Sequence, residues 1–380
     1  MTDELLSNAR IVLPGRVIAR GWLAMADGRI AEIGEGESPG RGTDMGGDLL
    51  LPGLVELHTD HLEQHFLPRP GVLWHPMAAA LSYDAQIAAS GITTVFDCFR
   101  VGSDERKDVF SENVLALSDT VRDAQAEGLL RVRHLTHLRC EVCSPDVIEA
   151  TEAMLAHRPV DIISLMDHTP GQRQFRSIET LKDFYRRASN MTEAQMDSFI
   201  AARLDLHARN AGPHRKALVA IARRQNIRLA SHDDTTPEQV AEAAADGISI
   251  AEFPVTVEAA ASSHAAGIKV LMGAPNLVRG GSHSGNVAAV ELAHAGVLDI
   301  LSSDYVPASL LFAAFKLATD VPGIDLAAAV RTVTTTPAEA VGLSDRGRLE
   351  PGRLADIVRV SDGRDVPIIR AVWCGGRRVS

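Results

Sequence analysis

The sequence predicts an α/β fold: a distorted (β/α)8 barrel of the TIM type, with a small β-sandwich domain built from both chain ends. Three observations predict it. Eight short apolar segments alternate with amphipathic helical segments, which is typical of βα repeats and a parallel sheet. Both ends of the chain instead carry alternating β patterns with tight turns. The length of 380 residues suits a barrel of about 200 to 250 residues with appended segments.

The two chain ends are predicted to form one composite domain from residues 1–52 and 345–380. An Asp-Gly pair at 27–28 is a hairpin signal between two alternating runs, and a second Asp-Gly pair at 362–363 separates two β-branched segments. Neither end has enough strands to bury a hydrophobic face alone, so we expect them to pair. Residues 53–344 then form the barrel.

Within residues 53–344, eight segments have the composition and length of buried strands. They are LVELHTD (54–60), TTVFD (93–97), LRVRHLTHLRCE (130–141), VDIISLMDH (160–168), IRLASHD (227–233), ISIAEF (248–253), KVLMGAP (269–275) and LDILSSD (298–304). Eight βα units are what a closed barrel requires. The longest insertion, residues 178–226, is predicted to be helical.

Composition excludes several classes of function. The 38 Lys and Arg residues against 49 Asp and Glu give a net charge of −11, which argues against nucleic-acid binding and against a basic membrane-binding surface. No segment has the roughly 18 consecutive apolar residues of a membrane span, and the acidic first residues do not resemble a secretory signal. We therefore expect a cytoplasmic protein.

The four cysteines are too few for a disulfide framework in a chain of this length. Cys140 and Cys143 form a CxxC pair, but a four-thiolate zinc site needs a second pair, which the sequence lacks. The interpretation favoured by the sequence is therefore a set of reduced, buried cysteines that act as small hydrophobic residues.

Side chains that can bind a metal ion collect at the ends of five predicted strands. They are His58 and Asp60 on the first strand, Glu141 on the third, His168 on the fourth, His232 on the fifth and Asp304 on the eighth. The carboxyl ends of barrel strands converge on one axis, where the active sites of such barrels form. Imidazole and carboxylate ligands suit zinc first, with iron or manganese as alternatives. The sequence therefore predicts a site for one or two divalent ions with a coordination position open to water.

The segments LLLPGLVELHTD, SSD and GRLEPGRLADIV resemble the amidohydrolase superfamily along nearly the whole chain. Within it, HTDHLEQHFLPRPGVLW, MDHTPGQRQF and NLVRGGSHSGNVAA resemble the diphosphatases of phosphonate catabolism. That resemblance implies hydrolysis of α-D-ribose 1-methylphosphonate 5-triphosphate to the 5-phosphate plus diphosphate.

The same resemblance implies roles for the candidate ligands. His58 and Asp60 would bind one ion, His168 and His232 a second, and Glu141 would bridge the two. Asp304 would be the catalytic residue that orients or deprotonates the attacking water. The superfamily usually has histidine where this chain has Asp60, and a carbamylated lysine where it has Glu141.

A triphosphate substrate also requires cationic and backbone donors around its phosphates. The candidates for substrate binding lie in loops and near strand ends: Arg69, Arg139, Arg173, Arg176, Arg279, Gly280, Gly281, Ser282 and His283. The expected partner is a small phosphorylated ribose, and we expect a homo-oligomer, most simply a dimer.

Three alternatives share the predicted barrel. An amidohydrolase acting on a C–N bond, in an amide or cyclic imide, would need one carboxylate-binding arginine rather than several arginines and a glycine loop. A non-catalytic scaffold would be expected to lack the metal ligands, which are present here. A phosphate-binding sugar isomerase would not need the histidines at the strand ends.

Overall fold

The computed structural model describes residues 4–102, 109–171, 173, 182, 192–282 and 285–380. The strands are β1 Glu4–Leu13, β2 Arg16–Ala26, β3 Arg29–Glu35, β4 Thr43–Asp44, β5 Leu49–Pro52, β6 Leu54–Thr59, β7 Ile92–Val101, β8 Arg133–Glu141, β9 Ile162–Met166, β10 Arg228–His232, β11 Ile250–Glu252, β12 Lys269–Gly273, β13 Ile300–Ser302, β14 Ile357–Ser361, β15 Ile368–Cys374 and β16 Arg377–Arg378. The helices are α1 His61–Phe66, α2 Pro76–Ala89, α3 Val109–Ala126, α4 Val147–His157, α5 Glu193–Gln225, α6 Pro237–Asp246, α7 Val257–Ala265, α8 Ala274–Arg279, α9 Ala289–His294, α10 Ser309–Asp320, α11 Leu326–Arg331 and α12 Thr335–Ala340.

The predicted barrel is confirmed. Strands β6 to β13 form one eight-stranded parallel sheet in chain order, and each overlaps one of the eight predicted segments. A bridge between Thr59 and Asp304 joins the first strand to the residues that follow the last. Apolar side chains from seven of these strands fill the interior: Val55, Leu57, Phe96, Ile162, Ala230, Ile250, Leu271 and Ile300. The interior is therefore a packed core, and the site can form only at its rim.

A second sheet comes from the two chain ends, as predicted. Its order is β16-β15-β14-β5-β1-β2-β3, and β4 pairs with β1. The antiparallel pairing of β5 with β14 joins residues from opposite ends of the chain. Gly53 connects β5 to the first barrel strand, and a Cβ at this position would overlap the side chain of Thr93. The division into two domains at residues 52/53 and 344/345 remains a prediction.

The described part of the predicted helical insertion contains the long helix α5. It begins with a capping box in which the Thr192 hydroxyl accepts from the Gln195 backbone N–H, and it ends at Asn226 in the left-handed conformation (φ 57°). Most of the preceding predicted helix, ETLKDFYRRA, lies outside the described residues. In the described part of the chain, no helix is long and apolar enough to cross a bilayer.

Candidate active site

A cleft opens at the carboxyl ends of the barrel strands. His58, His168, His232 and Asp304 line it together with Arg139. The ring centroids of His58 and His232 lie 5.6 Å apart, and those of His168 and His232 lie 5.7 Å apart. The barrel thus brings together four of the six side chains that the sequence predicted as metal ligands.

The Nδ1 atom of each of the three cleft histidines lies within hydrogen-bond distance of a different carboxylate. His58 Nδ1 lies 3.0 Å from Glu252, His168 Nδ1 lies 2.7 Å from Glu141, and His232 Nδ1 lies 2.8 Å from Asp233. An Nδ1–H that donates to a carboxylate leaves Nε2 with a free lone pair, which is the usual state of a metal-ligating histidine. His58, His232 and Glu252 form one group whose polar atoms are close enough to hold an ion, and His168, His232 and Asp233 form another.

The carboxylates also set the charge of the histidines. Burial opposes protonation of His58, but the charge of Glu252 and its hydrogen bond to the ring together outweigh burial and raise the pKa of this imidazole. In the same way, Glu141 outweighs burial and raises the pKa of His168. A high affinity for protons at these rings also indicates a high affinity for a cation that replaces the proton.

Glu252 is held rigidly. It is buried, and the Ser164 hydroxyl donates to its second oxygen at 2.6 Å. Burial opposes its ionisation, but His58 and His137 outweigh this effect and lower the pKa of Glu252. Glu252 therefore stays ionised beside His58.

Asp304 lies where the last barrel strand meets the first. Its backbone N–H donates to the carbonyl of His58 at 3.2 Å, and its own carbonyl accepts from the Thr59 hydroxyl at 2.8 Å. Burial raises the pKa of the Asp304 carboxyl. A carboxylate with a raised pKa at the rim of a cleft is suited to accept a proton.

Three rim residues have left-handed backbone: Asp233, Phe253 and Asp304, with φ of 57°, 53° and 53°. This conformation is unusual for a bulky side chain such as Phe253. The Phe253 ring packs edge-on against His58 and at a steep tilt against His232, with centroids 5.0 and 5.2 Å away. Backbone strain at the strand ends thus turns an aromatic side chain onto the two histidines.

Asp60 and Arg139 form an ion pair. Burial alone would raise the pKa of Asp60, but the charges of Arg139 and His58, with the hydrogen bond from Arg139, together outweigh burial and lower the pKa to about 2. Arg139 lines the cleft, and Asp60 does not. The structure therefore brings Asp60 to Arg139, and Glu141 to His168, rather than presenting both carboxylates to the cleft.

The predicted substrate-binding residues divide into three groups. Arg279, Gly281 and Ser282 line the cleft beside Arg139, whereas Gly280 ends α8 in the left-handed conformation. Arg69 is exposed and does not line the cleft, and the buried Arg173 pairs with Asp234 and donates to the His232 carbonyl. Arg176 and His283 lie outside the described residues.

Sequence reasoning missed Glu252. Glu252 is the last residue of β11, so it occupies the same position as the other strand-end groups. A search for every carboxylate at the end of a predicted strand would have found it. Tyr305 and Asn276, which also line the cleft, follow such strand ends without a comparable signal.

A parallel barrel with histidines and carboxylates at its carboxyl rim defines the class of barrel enzymes that can hold a metal ion there. The sequence profile of the amidohydrolase family matches residues 106–380. The alpha-D-ribose 1-methylphosphonate 5-triphosphate diphosphatase of Escherichia coli (strain K12) is 44% identical over 377 residues, which are 99% of this chain and 100% of that protein. The chain therefore belongs to the amidohydrolase family.

Solved structures show the same fold. N-acetyl-D-glucosamine-6-phosphate deacetylase from Mycobacterium smegmatis superposes with a TM-score of 0.65 at 17% identity, over 99% of this chain and 100% of that one. N-isopropylammelide isopropylaminohydrolase from Burkholderia multivorans superposes with a TM-score of 0.64 at 19% identity, over 100% and 98%. At these identities the likeness establishes the architecture alone.

Proposed function

We propose that this chain is a metal-dependent hydrolase that cleaves α-D-ribose 1-methylphosphonate 5-triphosphate into the 5-phosphate and diphosphate. The full-length identity of 44% to the Escherichia coli diphosphatase supports the substrate. The observation that carries the chemistry is the set of three histidines, each with Nδ1 on its own carboxylate, beside Asp304.

The donor set fits a divalent metal ion. The Nε2 atoms of His58, His168 and His232, with the Asp304 carboxylate, would hold it, and nitrogen and oxygen donors suit zinc first and iron or manganese next. When bound, such an ion lowers the pKa of its water to about 7 and polarises a phosphoryl oxygen. Asp60 already pairs with Arg139, and Glu141 is already hydrogen-bonded to His168. Ligand roles for these two carboxylates therefore remain predictions.

The protein supplies the base and the cations. The Asp304 carboxylate accepts a proton from the water that attacks the phosphorus nearest the ribose, and the P–O bond to the diphosphate breaks. Arg139 and Arg279 line the same cleft and would stabilise the charge of the leaving diphosphate. Ser282 would contribute a hydroxyl donor beside Arg279, whereas the Gly281 backbone N–H already donates to the Asn276 carbonyl at 2.9 Å.

The test is an assay of the metal-loaded protein with three substrates: α-D-ribose 1-methylphosphonate 5-triphosphate, ATP and a panel of amides and cyclic imides. We expect diphosphate release from the first at a kcat/KM far above that for ATP, and little turnover of the amides. Efficient C–N cleavage without diphosphate release would overturn the proposal in favour of the amide hydrolase alternative.

Two variants separate metal binding from proton transfer. Asp304→Asn should retain most of the metal, because the three histidine ligands remain, and should lose about 10²- to 10⁴-fold in kcat, because the base is removed. His168→Ala should instead lose metal by elemental analysis. If Asp304→Asn keeps full activity, the base has been assigned to the wrong residue.

A further inference from the structure

A second cluster of metal-binding side chains lies outside the cleft. Cys143 Sγ is 3.2 Å from Asp167 Oδ1 and 3.8 Å from His207 Nδ1, and His207 Nδ1 is 2.9 Å from Asp167 Oδ2. Cys143 is 1% exposed and Asp167 9%. None of the three residues lines the cleft of the candidate active site.

The cluster joins the inserted helix α5 to the barrel wall. Cys143 follows β8, Asp167 follows β9, and His207 lies on α5. On the same face of α5, Asn210 donates to the Cys143 carbonyl and His214 donates to the Val142 carbonyl, each at 2.9 Å. Positions 207, 210 and 214 recur at helical spacing, so one face of the helix is fixed against this segment.

The spacing of the three donors is that of ligands around one ion. Bond lengths of about 2.0 to 2.3 Å to nitrogen, oxygen and sulfur place tetrahedral ligands about 3.3 to 3.6 Å apart. The 3.8 Å between Cys143 Sγ and His207 Nδ1 lies within a few tenths of an ångström of that range. Cys143 Sγ is 3.2 Å from Oδ1 of Asp167 and His207 Nδ1 is 2.9 Å from Oδ2, so the two carboxylate oxygens face the two other donors. The three donors also form a group close enough to hold a metal ion.

We propose that Cys143, Asp167 and His207 form a second metal site, separate from the candidate active site, whose chemistry suits zinc. Thiolate, carboxylate and imidazole together match the ligand preferences of Zn²⁺. The fourth position would take water from the adjoining cavity, which Asp167 and His207 line with Ala211 and Gly212.

Charge favours the ion at this position. A thiolate and a carboxylate together neutralise a divalent cation, so the loaded site carries no net charge. Among the described residues, two arginines line the adjoining cavity, and both are paired, Arg173 with Asp234 and Arg215 with Asp246. Thr169 contacts two of the ligands: its hydroxyl is 3.1 Å from Cys143 Sγ, and the Thr169 backbone N–H donates to Asp167 Oδ1 at 3.1 Å. These contacts orient the ligands as outer-shell groups do in metal sites.

The two cysteines of the CxxC pair do not form the proposed site together. Cys140 Sγ contacts the Thr151 hydroxyl at 3.5 Å and takes no part in the cluster. Cys140 is therefore a matched control for Cys143, because both are buried cysteines three residues apart. His214 is the matched control for His207 on the same helix.

The test is cobalt substitution of the intact protein, followed by its absorption spectrum. A thiolate ligand gives a near-ultraviolet charge-transfer band that histidine and carboxylate ligands cannot give. We expect this band in the unmodified protein and in Cys140→Ala. Cys143→Ala should lose the band and should bind about one equivalent of metal less.

A second pair of variants keeps all four cysteines. Loss of an outer-shell contact weakens metal binding by about 10- to 100-fold, and His207→Gln should weaken cobalt binding at this site by more than that. His214→Gln should bind cobalt with unchanged affinity. Absence of the band from metal-loaded protein, its persistence in Cys143→Ala, or equal cobalt affinity in His207→Gln and His214→Gln would overturn the proposal. None of these results depends on the substrate of the candidate active site.

Discussion

The chemistry of the cleft depends on which atom each side chain offers. His58, His168 and His232 are equivalent in the sequence, and in the structure each has Nδ1 on a different carboxylate. The partner of His58 is Glu252, which is 194 positions away in the chain. The carboxylates fix the orientation of the rings, so their removal should affect metal binding before it affects catalysis.

Glu252→Gln tests this role. The substitution keeps the shape of the side chain and removes the negative charge that stabilises His58 when it binds a metal ion. We expect a loss of about 10- to 100-fold in metal affinity, with much smaller loss of kcat at saturating metal. Metal titration measures the first quantity and steady-state kinetics the second. The exposed Glu127→Gln is the control and should change neither. Unchanged metal affinity in Glu252→Gln would contradict the role.

Asp60 gives a second prediction at this scale, because it has two candidate roles. If it anchors Arg139, as its ion pair indicates, Asp60→Asn should keep its metal and raise KM for the triphosphate by roughly 10-fold, about 1.4 kcal/mol of binding. If it is a metal ligand, the same variant should lose metal. Elemental analysis and the kinetic constants of one preparation distinguish the two roles.

At the level of elements, β7, β8 and α2 share a buried ionic cluster whose three members do not line the cleft. His134 on β8 lies 3.0 Å from Asp97 on β7 and 3.3 Å from Asp84 on α2. Burial opposes protonation of His134, but the two carboxylates outweigh it and raise its pKa from 6.5 to about 9. A protonated His134 therefore ties two barrel strands to an outer helix.

This cluster predicts a pH dependence of stability. The folded pKa is raised, so the contribution of His134 is complete below about pH 6.5 and is lost as pH rises through about 9. We expect the unfolding midpoint to fall over this interval, by an amount that corresponds to roughly 3 kcal/mol. His134→Gln should flatten the profile, and the exposed His157→Gln should leave it unchanged. An equal decline in His134→Gln would show that another group is responsible.

At the level of the whole molecule, the chain-end sheet and the barrel have separate hydrophobic cores, and the same strands contribute side chains to both. On β5, Leu49 and Leu51 pack in the large barrel cluster, whereas Leu50 packs in the smaller cluster of the chain-end sheet. On β14, Val358 and Ile357 alternate in the same way. Because side chains alternate along a strand, one strand contributes to both cores.

This arrangement predicts a single cooperative unfolding transition. Leu50→Ala should lower the stability of the entire molecule by about 2 to 5 kcal/mol, although Leu50 lies outside the barrel cluster. Leu204→Ala, at a position 40% exposed, should change it by less than about 0.5 kcal/mol. Differential scanning calorimetry measures both. Two separate transitions, only one of them shifted by Leu50→Ala, would show instead that the two sheets are independent domains.

The amino-acid sequence was sufficient to predict the barrel and to place the candidate site at its carboxyl rim. Strand periodicity and length identified all eight barrel strands, and the same segments carried His58, His168, His232 and Asp304 at their ends. These properties are local: the alternation of side chains and the polarity of strand ends are determined by residues close together in the chain. The short β pattern at each terminus also sufficed to predict that the two ends share a sheet, because neither could bury its apolar face alone.

The pairing of the side chains could be known only from the folded chain. Glu252 contacts His58, Asp60 contacts Arg139, and Cys143 lies against His207 although the sequence associates it with Cys140. Each pair joins groups that are far apart in the chain, so its distance depends on strand register, on the angle at which α5 packs and on the turns at the barrel rim. No local pattern encodes these quantities. Local sequence patterns therefore predict the rim that carries the candidate site, and the packing of the strands and helices determines which atoms face one another there.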